Sequence, residues 1–223
     1  MQKSVFSHKL SLCVSILLSF CMNSLWAQAP LNYPTKPIKL VVGFPPGASS
    51  DVVARLIANR MSEQLGQPIV VENRPGAGSN LAADAVARAA PDGYTLLLAT
   101  VANSINATLM PSINFDILRD FSPIGLIASV PNLLVVHPSA PVKSMQELIS
   151  AAKAKPGSIV YASSGNGTGT HLAAELFNSM ADIQMLHVPY KGSPQAVTDL
   201  IAGRVTVMFS PTSSVLPHIK SGS

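Results

Sequence analysis

The sequence predicts an α/β fold in which a parallel sheet carries helices on both faces. Short apolar runs alternate with longer stretches of helical spacing between residues 38 and 100, which is the pattern of strand–helix–strand units. The first run, residues 38–42, passes through the turn Gly43-Phe44-Pro45-Pro46-Gly47 straight into an amphipathic segment. The same order of strand, small-residue loop and helix start returns at residues 158–172, through Ser163-Ser164-Gly165-Asn166-Gly167-Thr168-Gly169-Thr170.

Each element has a local reason. Pro45 and Pro46 bar a helix before the turn, and Gly47 lets the chain bend. The helix then runs over 50–65, capped by Ser50 or Asp51. Its apolar positions are Val52, Val53, Leu56, Ile57, Met61 and Leu65, and Gly66 stops it. Residues 69–71 form a second strand and Asn73-Arg74-Pro75-Gly76-Ala77-Gly78 a loop. Ser79 or Asn80 opens a helix with Leu81, Ala82, Ala85, Val86 and Ala89 inward. Pro91-Asp92-Gly93 turns the chain into a third strand at 94–98, reaching Thr100. Residues 102–121 lack a regular period. Two β-like runs, 123–130 and 133–136, split by Pro131-Asn132, are placed to carry the chain from one lobe to another.

In the second half, Ser144 and Glu147 read as a capping box opening a helix. Residues 158–162 form a strand, and a helix follows with His171, Leu172, Ala173, Leu176, Phe177 and Met180. A strand at 185–188, a helix at 194–201, a strand at 206–209 and the start of a helix at 215–219 complete the chain. Met180, Met185 and Met208 read as core fillers. The chain closes on Lys220-Ser221-Gly222-Ser223 without a final element, and the expectation is that a C-terminal part is missing.

Residues 1–29 read as an export signal: Lys3 and Lys9, a short apolar run, and a cleavage point after Ala27 or Ala29. Phe20 before Cys21 fits a lipidation site poorly, so a soluble exported protein is expected. Both cysteines, Cys13 and Cys21, fall inside the signal, which leaves no disulfide and no thiol chemistry afterwards. The chain has 15 basic and 11 acidic residues, and losing Lys3 and Lys9 reduces the excess from +4 to +2. With so small a charge and only 5% aromatic residues, nucleic-acid binding is not expected.

The chemistry lies at two helix starts. A helix N-terminus outside a strand's carboxyl end presents unpaired N–H groups and a partial positive charge, which together seat an anion. Two such loops, one in each half, are placed to face each other across a cleft. His171 sits in the first turn of its helix beside Thr168 and Thr170, within reach of a ligand. Lys191, in Tyr190-Lys191-Gly192, reads as a solvated lysine and Arg74 as structural. His137, His187 and His218 stand alone and read as structural. No dinucleotide fingerprint, P-loop, nucleophile elbow or metalloprotease helix is present, so no cofactor, metal or catalytic residue is expected.

Several blocks in order resemble the substrate-binding proteins of the tripartite tricarboxylate transporter family, the Bug-type periplasmic receptors. They are Tyr33-Pro34-Thr35-Lys36-Pro37-Ile38, the loop from Pro46 to Asp51, and Glu72-Asn73-Arg74-Pro75-Gly76-Ala77-Gly78. Ala90-Pro91-Asp92-Gly93-Tyr94-Thr95-Leu96, Asp120-Phe121-Ser122-Pro123-Ile124-Gly125, residues 162–172 and His187-Val188-Pro189-Tyr190-Lys191-Gly192 complete the set. The resemblance implies a two-lobed periplasmic-binding (Venus flytrap) architecture, with lobe 1 at 30–128 and an incomplete lobe 2 at 129–223. It implies a small organic anion as ligand: a di- or tricarboxylate, an acidic amino acid or an aromatic acid. Phe44, Gly47, Ala48, Ser49, Ser50 and Asp51 would form one jaw, and Ser163, Ser164, Gly165, Thr168 and His171 the other, with Thr100 nearby. Ser210 is counted with them, although the family often carries Asp or Asn there, and Ala48 stands where a second glycine is common. The implied protein is a periplasmic monomer serving an inner-membrane permease. The alternatives are an exported hydrolase using Ser164 and His171, or an adaptor that passes ligand occupancy to a sensor kinase.

Overall fold

The computed structural model describes residues 32–223 except Pro111. The expected export signal, with its two cysteines and its cleavage point, lies outside the described residues. Lys36–Ser223 form one unit built on two sheets.

The first sheet has β1 (Ile38–Val42) at its centre, with β2 (Ile69–Asn73) and β3 (Thr95–Leu98) on either side, all parallel. Leu40 lies opposite Val71 on one edge and Leu96 on the other. A central parallel strand is covered on both faces, which is why every residue of β1 but Lys39 is apolar, and Lys39 reaches out to Glu72 at 2.8 Å. The second sheet has the order β4 (Asn132–Val136), β7 (Val207–Pro211), β5 (Val160–Ser163), β6 (Leu186–Pro189). β5 is parallel to β6 and β7, whereas β4 runs antiparallel to β7. Leu133 and Val136 carry no information about this. β4 fills an edge whose partner arrives some seventy residues later, and the open edge sets its direction.

Seven helices flank the sheets among the described residues: α1 (Ser49–Leu65), α2 (Asn80–Ala87), α3 (Val101–Leu109), α4 (Met145–Ala154), α5 (Gly169–Ala181), α6 (Ser193–Ile201) and α7 (Thr212–Ser221). The Ser144 cap is as expected, its Oγ accepting from Glu147 N at 3.2 Å; Glu147 reaches back to Lys143 N rather than to Ser144.

Three expectations are corrected. First, the fully buried apolar positions of α1, α2 and α5 are alanines, while Val53, Ile57, Met61 and Phe177 pack only partly buried against the cores. Ala54 and Ala58 of α1, Ala82 and Ala83 of α2 and Ala174 of α5 are buried, while Leu56 is 64% exposed, Leu81 is exposed and Met180 is 80% exposed. Small side chains let a helix lie close to the strands, and a leucine row on that face would hold it off. Second, residues 102–121 contain α3, whose inner positions Asn103 and Asn106 are polar and fully buried, so apolar periodicity does not reveal it. Third, residues 123–130 form no strand. Leu126 is 90% exposed, and a β-prone run without a partner makes no ladder.

The first core joins Ile38, Leu40 and Val42 to Ala54, Ala58 and Leu98. The second sheet packs Tyr161, Leu148 and Val207 on one side and Met208, Leu200 and Val215 on the other. Leu148→Ala should cost about 2–5 kcal/mol in urea denaturation, whereas Leu126→Ala should stay within about 0.5 kcal/mol. Equal losses would mean that the cores are misassigned.

Candidate functional site

Where β1 ends, the chain turns at Gly43 against Ser79. A methyl group on Gly43 would lie 1.9 Å from Ser79 Oγ, so only glycine permits this approach. Ser79 belongs to the left-handed turn Ala77–Ser79, in which Ala77 (φ 47°) and Ser79 (φ 78°) hold a backbone conformation that costs a non-glycine residue about 1–3 kcal/mol. Buried carboxamides from α3 restrain it. Asn106 Nδ2 donates to Gly78 O at 3.0 Å and to Asn80 Oδ1 at 3.3 Å, and Asn103 Nδ2 donates to Ser79 Oγ at 3.4 Å. Asn103 also accepts from Thr100 N at 2.9 Å, which fixes the start of α3.

The opposite wall follows β5. Ser164 N donates to Thr170 Oγ1 at 2.9 Å, and Gly165 N donates to Ser163 Oγ at 3.1 Å. Thr168 caps α5, accepting from His171 N and donating to Gly165 O at 2.7 Å. Beside it the end of β6 brings in Tyr190 and Lys191. Tyr190 N donates to Ser163 O at 3.1 Å, and the Tyr190 hydroxyl donates to Asp199 at 2.8 Å. Between the walls lies a cleft of about 280 Å³ lined by Phe44, Gly78, Ser79, Ser164, Gly165, Asn166 and Lys191, among others. One ammonium and no carboxylate line it.

Of the residues expected at the site, Phe44, Ser164 and Gly165 meet in this cleft. The others lie around or behind it. Ser49 Oγ pairs with Ser213 Oγ at 2.7 Å, and Ala48 packs against Phe44 and Ala102. Gly47 faces Pro194, and Ser50 lies in the first turn of α1. The cap of α1 is Ala48, without a side-chain bond, rather than Ser50 or Asp51. Asp51 instead reaches back from the third helical position. It accepts from Gly47 N at 2.9 Å, from Asn73 Nδ2 at 2.9 Å and from Arg55 at 3.0 and 3.1 Å. Burial pushes its carboxyl pKa up, but Arg55, the Gly47 amide and Asn73 together hold it below the usual range. The carboxylate thus already occupies the Gly47 donor at the first helix start. Thr100 Oγ1 is buried without a partner at the start of α3, and Ser210 is buried in β7.

The histidines also differ from expectation. His187 does not stand alone. Its ring stacks between Tyr161, at 4.6 Å, and His171, at 4.4 Å, and its Nε2 pairs with Ser163 Oγ at 2.7 Å. His171 Nδ1 accepts from Gly167 N at 3.3 Å. At this wall the hydroxyl–imidazole pair is therefore Ser163 with His187, not Ser164 with His171, and away from it His137 Nδ1 pairs with Ser139 Oγ at 2.6 Å. Ser163 is fully buried and its oxygen is shared with Gly165 N, so the pair supports the loop. Sequence reasoning did not assign Ser79, Asn106, Asn166 or Lys191 to the site. The glycines at 76 and 78 were visible, but neither the turn they make nor the position of Lys191 at the rim can be read from neighbouring residues.

Residues 53–223 match the tripartite tricarboxylate transporter family receptor. The chain belongs to this family. It is 42% identical over 194 residues to protein BugT of Bordetella pertussis, covering 86% of this chain and 60% of BugT. Among solved structures, Rpa4515 of R. palustris with adipate aligns at a TM-score of 0.81 and 40% identity, covering 85% of this chain and 64% of that one. MatC of Rhodopseudomonas palustris with bound malate aligns at 0.80 and 32%, covering 85% and 65%. These likenesses place this tripartite tricarboxylate receptor chain in the periplasmic-binding-protein fold, and it spans about three-fifths of its relatives' length. Its relatives are solute-binding receptors rather than enzymes.

Burial, with a further push from neighbouring His171, lowers the His187 pKa from 6.5 to about 4, while Glu175 opposes the shift. Between those two values the unfolded chain binds a proton that the folded chain rejects. Stability is therefore full above about pH 6.5 and is lost as pH falls toward 4. In His187→Gln the fall in melting temperature over that window should be shallower than in the unaltered chain. An identical slope would refute the assignment.

Proposed function

We propose that this chain is the ligand-capturing part of a periplasmic receptor that binds a small carboxylate and presents it to inner-membrane permease subunits of the tripartite tricarboxylate type. The observation that carries this reading is the make-up of the cleft: backbone without side chains at Gly78 and Gly165, the Ser164 hydroxyl, one ammonium at Lys191 and no carboxylate. A backbone N–H or a hydroxyl bonded to a charged group contributes about 1.5–3 kcal/mol, so a few such contacts suffice for micromolar binding. The acids bound by Rpa4515 and MatC, adipate and malate, give the class of ligand.

In this reading the two sheets with their helices serve as the two lobes, dividing near residue 128, and a single copy suffices for capture. Thr168 and His171 shape the Ser164–Gly165 corner rather than touching the ligand. Gly47, Ser49 and Ser50 complete the mouth on the side of α6 and α7.

Gly165 is an unsuitable probe. A side chain there would meet Tyr190 O at 2.9 Å, and its φ of 125° strains any other residue, so binding and folding would fail together. Exposed Lys191 is the better one. Calorimetry with adipate and malate should show binding by the unaltered chain, and Lys191→Met should weaken it roughly tenfold, with a smaller dependence on salt. Unchanged affinity in Lys191→Met would move the site elsewhere, and no binding of any small carboxylate by the unaltered chain would overturn the reading.

A further inference from the structure

We propose that Asn106 is a positioning residue that sets the width of the cleft; the proposal rests on the receptor reading above. Asn106 lies on α3, is fully buried, and does not line the cleft. Its side chain stands between the two walls. A methyl group on Gly78, in the first wall, would lie 2.7 Å from Asn106 Nδ2, and one on Gly167, in the second, would lie 2.0 Å from Asn106 Oδ1. The two glycine backbones therefore abut opposite ends of one carboxamide. The walls also touch directly here, since the same methyl on Gly78 would lie 3.0 Å from the Asn166 carbonyl oxygen.

The two ends of the carboxamide differ. Nδ2 donates to Gly78 O and Asn80 Oδ1 and so anchors the left-handed turn, while Oδ1 is buried with no hydrogen-bond partner among the described residues. A buried acceptor left unpaired is a net cost, so stability alone does not account for a polar group at this end. As a spacer it has a role. Oδ1 presses on Gly167, Gly167 N is tied to His171, and His171 N is tied to Thr168, which holds the Gly165 carbonyl. The length of one side chain thereby fixes how close Ser164–Asn166 comes to Gly78 and Ser79.

The first test needs no ligand. In Asn106→Ala, amide exchange should speed up roughly tenfold in both 76–80 and 165–168, while β5 and α4 stay protected. Gly167→Ala alone should destabilise the chain, because its methyl meets Oδ1. Combined with Asn106→Ala, which removes that oxygen, the loss should be less than the sum of the two. Asn106→Leu serves as the control: it keeps a branched side chain of at least the same reach but removes the bonds to Gly78 and Asn80, so exchange should rise in 76–80 while 165–168 stays protected. In Asn106→Ala, exchange rising in 76–80 alone, or strict additivity in the double variant, would overturn the proposal. In calorimetry, Asn106→Ala should weaken adipate and malate by different factors, the larger about tenfold; an equal fold-loss for both acids would also overturn it. If the unaltered chain binds neither acid, the receptor reading fails and the exchange and double-variant results still decide on Asn106.

Discussion

Glycine backbone packed too tightly for a β-carbon frames the cleft, and most of the structure can be understood from that constraint. Gly43 touches Ser79, Gly78 touches Asn166, and Gly167 touches Asn106, at separations that leave no room for a β-carbon. Such contacts need a rigid support, because loops without side chains contribute little burial. The support comes from α3. Its two buried asparagines bond the Ala77–Ser79 turn and offset the strain of two non-glycine residues at positive φ. On the other wall the ladder of Thr168, Thr170 and Ser163 plays the same part.

The electrostatics are equally economical. In the receptor reading a bare carboxylate near the cleft would repel the ligand, and Asp51 sits at the first helix start. Three donated hydrogen bonds, from Gly47, Asn73 and Arg55, engage its oxygens, and the Arg55 ion pair compensates its charge. The Asp51–Arg55 pair therefore adds no net charge at this helix start. No carboxylate lines the cleft on the second wall, and exposed Lys191 is among its lining residues. The stacked column of Tyr161, His187 and His171 lies behind this wall. A histidine held neutral there gives the loop a flat, apolar backing without adding charge.

Where the sequence carried a period or a punctuation mark, the fold was legible. The Pro45-Pro46-Gly47 turn, the Gly66 stop and the Ser144 cap lie where local chemistry puts them, and β1 and its helix follow from the run 38–66. Reading failed where burial was polar or small. α3 hides behind Asn103 and Asn106, and the alanine stripes of α1, α2 and α5 look like the weaker face of each helix. It failed again at residues 123–130, where apolar alternation promised a strand. The site was legible only in part: the Ser164–Gly165 corner and Phe44 could be named, but Ser79, Asn166 and Lys191 could not, since they enter the cleft from separate elements.

By itself, then, the sequence determined the α/β alternation, the two helix starts that follow strands, and, through seven ordered motif blocks, the family. Those features depend on neighbours within a few residues, where glycine, proline and capping side chains act. Only the tertiary structure decided which glycines touch, that Asp51 is already paired, that β4 runs antiparallel, and that Lys191 rather than the Gly47–Asp51 turn faces the cleft. Each of these depends on residues tens of positions apart being brought within a few ångströms, and no local propensity encodes that distance.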